Sequence, residues 1–254
     1  MNLIDTHCHL YSNEFSEDIH EVIKRAKATG VSKFYLPAID SEHTEAMLAL
    51  EAAYPDECIA MMGLHPCSVK DNYREELTKV KEWLAKRPFA AIGEIGLDFY
   101  WDKTHTQQQY DAFTIQMEWA LGSDLPIVIH AREAMQETIN AVKPFADKGL
   151  RGIFHCFGGS EEEAQQIIHL GFYLGIGGVL TYKKANLPEA LKNISLAHIV
   201  LETDSPYLAP VPFRGKRNES SYLQYIVKLL AEVKNTTPEE VATITTANAK
   251  KIFG

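Results

Sequence analysis

The sequence predicts a closed (β/α)8 TIM barrel, and three observations carry that expectation. Eight short apolar runs alternate with amphipathic stretches. The runs are near-continuously apolar, as in parallel strands buried on both faces. Eight such units in 254 residues match the size of one barrel. No G-x-G-x-x-G follows the first run, so the main signal of a doubly wound open sheet is absent. Residues 1–254 are therefore expected to form a single barrel domain.

The elements follow in order. Leu3–His9 is the first strand, and His7 and His9, at i and i+2, share one face of it. Asp18–Thr29 has helical periodicity, then Lys33–Ile39 is the second strand and Glu42–Ala53 its helix. Ile59–His65 and Tyr73–Ala85 form the third unit, Ala90–Gly96 and Gln107–Leu121 the fourth. Pro126–Ala131 precedes the helical Glu133–Asp147. Gly152–Cys156 precedes Glu161–His169, where Ser160 before three glutamates is an N-cap signal. Phe172–Gly177 is followed by a weak helical stretch, Leu187–Lys192, and Ile199–Asp204 is the last strand. Two helices, Tyr222–Val233 and Pro238–Phe253, close the chain, the second started by Thr237-Pro238-Glu239-Glu240.

Composition narrows the function. Hydrophobic residues make up 46% and charged residues 23%, ordinary for a globular domain. No apolar run approaches the roughly 20 residues that span a bilayer. No basic segment leads into an apolar one at the start, so no secretory signal is expected and His7 and His9 are expected to remain in the working protein. Cys8, Cys58, Cys67 and Cys156 form no C-x-x-C pair, which fits a reducing cytoplasm. The net charge of −9 disfavours long-range attraction to nucleic acid, so a polyanion must be held locally, by metals or a small basic patch.

In barrels of this kind the active site lies at the C-terminal ends of the strands. Those ends read Asp5-Thr6-His7-Cys8-His9, Gly63-Leu64-His65-Pro66, Gly93-Glu94-Ile95-Gly96-Leu97-Asp98, Ile129-His130-Ala131-Arg132, Phe154-His155-Cys156-Phe157 and Leu201-Glu202-Thr203-Asp204-Ser205-Pro206. A core histidine with a local partner explains one such residue. Five of the ten histidines at one rim, with carboxylates beside them, need stronger partners, because each unpaired buried polar group costs several kcal/mol. Divalent metals satisfy them. His20, His43, His105, His169 and His198 fall on helices, a loop or the opposite rim and read as structural.

With these segments in order, and with Arg214-Gly215-Lys216-Arg217-Asn218-Glu219 after them, the chain resembles the TatD family of metal-dependent hydrolases, (β/α)8 enzymes of the amidohydrolase superfamily. The resemblance runs from residue 4 to residue 219. It implies a binuclear centre in which His7, His9 and Asp204 hold one metal, His130 and His155 hold the other, and Glu94 bridges them. The family commonly has Pro where this chain has Ser220, which is expected to loosen a helix start and remove no functional group. Imidazole and carboxylate donors suit zinc, magnesium, manganese or nickel. Strand alternation is expected to turn Cys8 and Cys156 away from the metals as buried free thiols.

Two divalent ions would outweigh the charge of Glu94 and Asp204, and a net positive centre suits an anionic phosphodiester better than a neutral amide. On this reading Asp204 also orients or deprotonates the attacking water, Glu94 bridges, and His65 and Arg132 contact the phosphate or its leaving oxygen. Arg214, Arg217 and Asn218, in the densest basic run of the chain, are expected to contact substrate. Gly175-Ile176-Gly177-Gly178 fits either close approach to an anion or a tight turn. Phe99, Tyr100 and Trp101 either stack on a base or pack the loop. Glu202 either supports a ligand histidine or is a buried acid paired with Lys or Arg.

The expected activity is that of a TatD-type deoxyribonuclease, a 3′→5′ exonuclease or phosphodiesterase. The competing expectations are an amide or lactone hydrolase, an aminoacyl-tRNA deacylase, and a non-catalytic metal or nucleic-acid binding module.

Overall fold

A computed structural model describes residues 1–254. Eight parallel strands, β1 (Leu3–Asp5), β2 (Val31–Leu36), β3 (Cys58–Ala60), β4 (Ile92–Asp98), β5 (Ile127–Arg132), β6 (Gly152–Phe154), β7 (Tyr173–Ile176) and β8 (Ile199–Leu201), pair in the orders β1-β2-β3 and β4-β5-β6-β7-β8. Seven helices lie between and beside them: α1 (Ile19–Ala28), α2 (Ser41–Ala53), α3 (Tyr73–Lys86), α4 (Thr106–Ser123), α5 (Met135–Ala146), α6 (Glu161–His169) and α7 (Leu187–Leu191). α8 (Leu223–Lys234) and α9 (Pro238–Phe253) follow β8. The seams between the two sets of strands are spanned by backbone bonds. Gly93 N–H donates to Met62 O at 3.1 Å on one side, and Thr6 N–H donates to Leu201 O at 3.0 Å on the other. This is the (β/α)8 barrel.

Several strands stop short of their apolar runs. β1 ends at Asp5 where the sequence suggested His9, and β8 ends at Leu201 where it suggested Asp204. The cause is local: these rim residues leave the ladder and bond across the seam, Asp204 N–H donating to His7 O at 2.9 Å. Four of the six non-glycine residues with positive φ, Glu133, Cys156, Asp204 and Leu208, lie in the segments following β5, β6 and β8. Such backbone is costly and concentrates where geometry is functionally constrained.

The barrel interior is filled by one side chain from or beside each of seven strands: Ile4, Tyr35, Met61, Ala91, Val128, Ile153 and Val200. Ala249 and Ile252 of α9 join this layer, and Phe253 stacks on Tyr35 at 3.9 Å between ring centres. Helix α9 thus covers the end of the barrel opposite the C-terminal ends of the strands. Its start is set by Thr237, whose hydroxyl accepts from Glu240 N–H, with Pro238 in the first turn. Ser160 and Glu163 form a reciprocal capping box at α6. No helix is long and apolar enough to cross a membrane.

Asp5 knots the first strand to the last. It is fully buried and accepts from Thr203 Oγ1 (2.6 Å), Ser220 Oγ (2.6 Å) and Thr203 N–H (3.0 Å). Ser220 therefore does more than loosen a helix start: it supplies a hydroxyl donor that a proline there would lack. Burial pushes the Asp5 pKa up to about 7 against the donors that favour ionisation. The folded chain then holds a proton that the unfolded chain releases near pH 4, so this stabilisation is full below about 4 and lost as pH rises through about 7. In Asp5→Asn the backbone donors keep their acceptor and the hydroxyls can rotate to accept. Relative to the wild type, this variant is expected to gain up to about 4 kcal/mol between pH 4 and 8. Urea unfolding of metal-free protein across that range checks it, and parallel pH curves would refute it.

Candidate metal centre

The β4–β5 register slips between Gly93 and Ile95, which takes Glu94 out of the ladder at the mouth of the barrel. Its two oxygens face two groups of nitrogens. Oε2 lies 3.1 Å from His7 Nε2 and 3.6 Å from His9 Nε2, and Asp204 Oδ1 lies 3.7 and 3.5 Å from the same nitrogens. Oε1 lies 2.7 Å from His130 Nδ1, 2.9 Å from His155 Nε2 and 3.1 Å from His65 Nε2. Donors sharing one tetrahedral ion at 2.0–2.2 Å stand about 3.4 Å apart, so the first group has the dimensions of a metal cage. The donor set is imidazole and carboxylate throughout. Both ring nitrogens of His7 are buried without a hydrogen-bond partner, an expensive arrangement that a bound cation relieves.

Hydrogen bonds define which nitrogen of each ring is free. Tyr11 donates its hydroxyl to Pro37 O at 2.6 Å, so its oxygen accepts from His9 Nδ1–H at 2.9 Å and leaves His9 Nε2 with a lone pair. Asp98 Oδ2 accepts from His130 Nε2–H at 2.8 Å, which frees Nδ1 toward Glu94. Glu202 Oε1 lies 3.4 Å from His155 Nδ1, an ion-pair contact short of a hydrogen bond, and His155 Nε2 faces Glu94 at 2.9 Å. Such partners orient ligand histidines and raise their basicity. His65 is the reverse case: its Nδ1 accepts from Cys67 N–H at 3.0 Å, so in the neutral ring Nε2 carries the proton. His65 thus points a donor, and no lone pair, into the second group.

Without an ion, the carboxylates and imidazoles of the site shift one another's charge. Burial opposes the charge on Glu94, but His155, His65 and His7 overcome it and hold the carboxyl well below its usual range. Asp204 is likewise held low, against burial, by His9, His155 and His7. Burial and the stacked His155 ring, 3.8 Å away, lower the His7 pKa and keep it neutral. Burial likewise lowers that of His65. His130 and His155 are shifted up, against burial, by Asp98, Glu94 and Glu202.

The remaining residues fall into two sets. Arg132 and Arg214 are exposed at the rim with no carboxylate within ion-pair distance, and they lie over the rings of Tyr100 and Tyr182, both at 4.1 Å. Arg217 is committed elsewhere, in a two-pronged pair with Asp18 at 2.7 and 2.8 Å. Asn218 is fully buried, and its amide donates to Thr203 O and Tyr207 O, both at 2.7 Å. That placement makes Asn218 a brace for the Asp204 loop, out of reach of substrate. The glycines in and just after β7 make room within the protein: a Cβ on Gly175 would lie 2.2 Å from Glu202 Oε2, and one on Gly178 would lie 2.0 Å from Leu208 O.

Cys8 is buried and faces Tyr35 O, away from the ligands. Cys156 is only half-buried, and alternation does not govern it because it follows the end of β6 at φ +48°. Burial and the charges of Asp204 and Glu202 raise its thiol pKa. Sequence reasoning assigned no role to Tyr11 or Asp98. Asp98 had a signal, sitting four residues after Glu94 on one strand. Tyr11 had none.

The profile of a family described as TatD related DNase matches residues 4–254. The chain is 40% identical to an uncharacterized metal-dependent hydrolase, YabD, of Bacillus subtilis, covering 99% of this chain and 98% of that one. It is 32% identical to the 3′-5′ ssDNA/RNA exonuclease TatD of Yersinia pseudotuberculosis, covering 99% of both. The crystal structure of YJJV, a TatD homologue from Escherichia coli K12, superposes with a TM-score of 0.93 at 30% identity, over 99% of this chain and 97% of that one. Fold, ligand cluster and likeness over the full length agree: the chain belongs to the TatD family of metal-dependent hydrolases.

Proposed function

We propose that this protein is a nuclease that binds two divalent ions and removes nucleotides from single-stranded nucleic acid, with DNA as the first substrate to test. The observation that carries the reading is the division of Glu94, one oxygen for each group of histidines. His7, His9 and Asp204 would hold one ion, His130 and His155 the other. When bound, such a pair supplies a water of lowered pKa and neutralises charge on phosphoryl oxygens.

The chain's own groups then have definite tasks. Asp204 is ionised and, with a side chain 13% exposed, is the most open of the carboxylates facing the ligand histidines. It positions the water and accepts its proton. His65, neutral, donates Nε2–H to the leaving oxygen. Arg132 and Arg214, free of carboxylate partners, bind non-bridging phosphate oxygens. The 32% identical relative is named a 3′-5′ ssDNA/RNA exonuclease, which supports the substrate class and polarity.

Purified protein is tested on 5′-labelled single-stranded DNA, beside amide, lactone and aminoacyl-tRNA substrates, with and without chelator. Chelator-sensitive stepwise shortening from the 3′ end is expected, and amide, lactone or aminoacyl turnover with intact DNA would replace the proposal. Arg132→Ala and Arg214→Ala are each expected to raise KM for DNA about tenfold, the loss of one charge-assisted bond. Arg217→Ala is expected to leave KM alone and cost at most about 1 kcal/mol of stability, as for an exposed pair. A rise in KM from Arg217→Ala equal to that from Arg214→Ala would return Arg217 to the substrate set.

A further inference from the structure

Five of the six exposed large hydrophobic side chains, Tyr100, Trp101, Tyr207, Leu208 and Val211, stand on the segments after β4 and β8, the strands that lead out of Glu94 and into Asp204. Scattered exposed apolar residues need no explanation, but a concentration around one site marks binding. The pair after β4 is the more constrained. Tyr100 is 49% and Trp101 67% exposed, edge to face at 4.9 Å. Asp98 Oδ1 accepts from the backbone N–H of Tyr100 at 2.9 Å and of Trp101 at 3.0 Å. Its other oxygen holds His130. One buried carboxylate thus fastens both the aromatic pair and a metal-ligand histidine. The guanidinium of Arg132, two residues after His130, lies 4.1 Å from the Tyr100 ring centre and 5.3 Å from that of Trp101.

The geometry points to a base-stacking subsite formed by Tyr100, Trp101 and Arg132, which takes one nucleobase of the strand while its phosphate lies at the metal centre. The inference rests on the nucleic-acid reading above and adds where the strand is gripped. The chemistry fits a nucleobase in particular. Flat aromatic faces and a guanidinium plane bind any base by stacking and cation–π attraction, without reading its edge. An acidic protein needs such short-range contacts, because its net charge of −9 repels a polyanion at distance. Packing of the loop alone does not call for this exposure, since the loop is already held by Asp98 and by Gln109, whose amide donates to Asp98 O at 3.1 Å.

The test is a scan of 5′-labelled single strands, each carrying one abasic residue at a different position from the 3′ end. In the wild type one position is expected to lower kcat/KM about ten- to a hundredfold, the loss of one stacked base. Trp101→Ala, at an exposed position, is expected to lose that sensitivity while cleaving the abasic strand at the wild-type rate, and Trp101→Phe to restore it. Tyr100→Ala serves as the second variant. If Trp101→Ala and Tyr100→Ala keep the wild-type profile, or if the wild type cleaves DNA with no sensitive position, the subsite is overturned while the nuclease reading stands. If the wild type shortens no strand at all, the nuclease reading falls and the subsite falls with it.

Discussion

Replacing Glu94 with Gln is expected to lower hydrolysis about a thousandfold or more. Oε2 stands 3.1 Å from His7 and Oε1 2.7 Å from His130. The amide has one oxygen, so one group of histidines must face an NH2 with no lone pair to give. One negative charge between the two groups of histidines is lost as well. Loss of a single preorganised electrostatic group costs about 10²–10³ in rate. Here the same change also disables one of the two proposed ion sites, so a barrier increase of about 4 kcal/mol is a lower expectation. Rate and bound metal per chain are measured together, and both are expected to fall. Wild-type turnover at unchanged metal content would remove Glu94 from the bridging role.

Gly96→Ala is expected to damage both stability and activity without touching a ligand side chain. Gly96 has φ +146°, and a Cβ there would lie 2.0 Å from the carbonyl oxygen of His130 on the neighbouring strand. Backbone cannot swing aside as a side-chain tip can, so β5 must move at His130, a proposed metal ligand. A loss of about 3 kcal/mol or more is expected from the strain, with an activity loss above tenfold from the displaced imidazole. Gly122→Ala is the control: it is helical with nothing within 4 Å of the added carbon, and it is expected to be stabilising by up to about 1 kcal/mol. Urea midpoints of the two variants check the contrast, and equal midpoints would refute it.

The strand order and the clustering of histidines at one rim were legible because both depend on local pattern. Apolar runs mark strands, and polar residues at their ends mark the rim. What was not legible depends on where chains meet. Tyr11 supports His9 through Pro37 O, a partner on another segment. Arg217 resembled Arg214 in sequence, yet only Arg217 finds Asp18. Asn218 resembled a surface polar residue, but the fold buries it under the β8 loop. His65 was expected to contact phosphate as one of several histidines, and only its bond from Cys67 N–H defines the nitrogen it presents.

The knot between Asp5 and Thr203 joins residues 198 positions apart, and the Asp204–His7 backbone bond closes the same seam. Contacts so distant in sequence form late, after the intervening chain has been ordered. A nascent chain on the ribosome therefore cannot bring Asp204 to His7 and His9 until residue 204 has emerged, however well its early units have folded. On the proposed reading catalysis is withheld from every partial product, and turnover reports a completed ring.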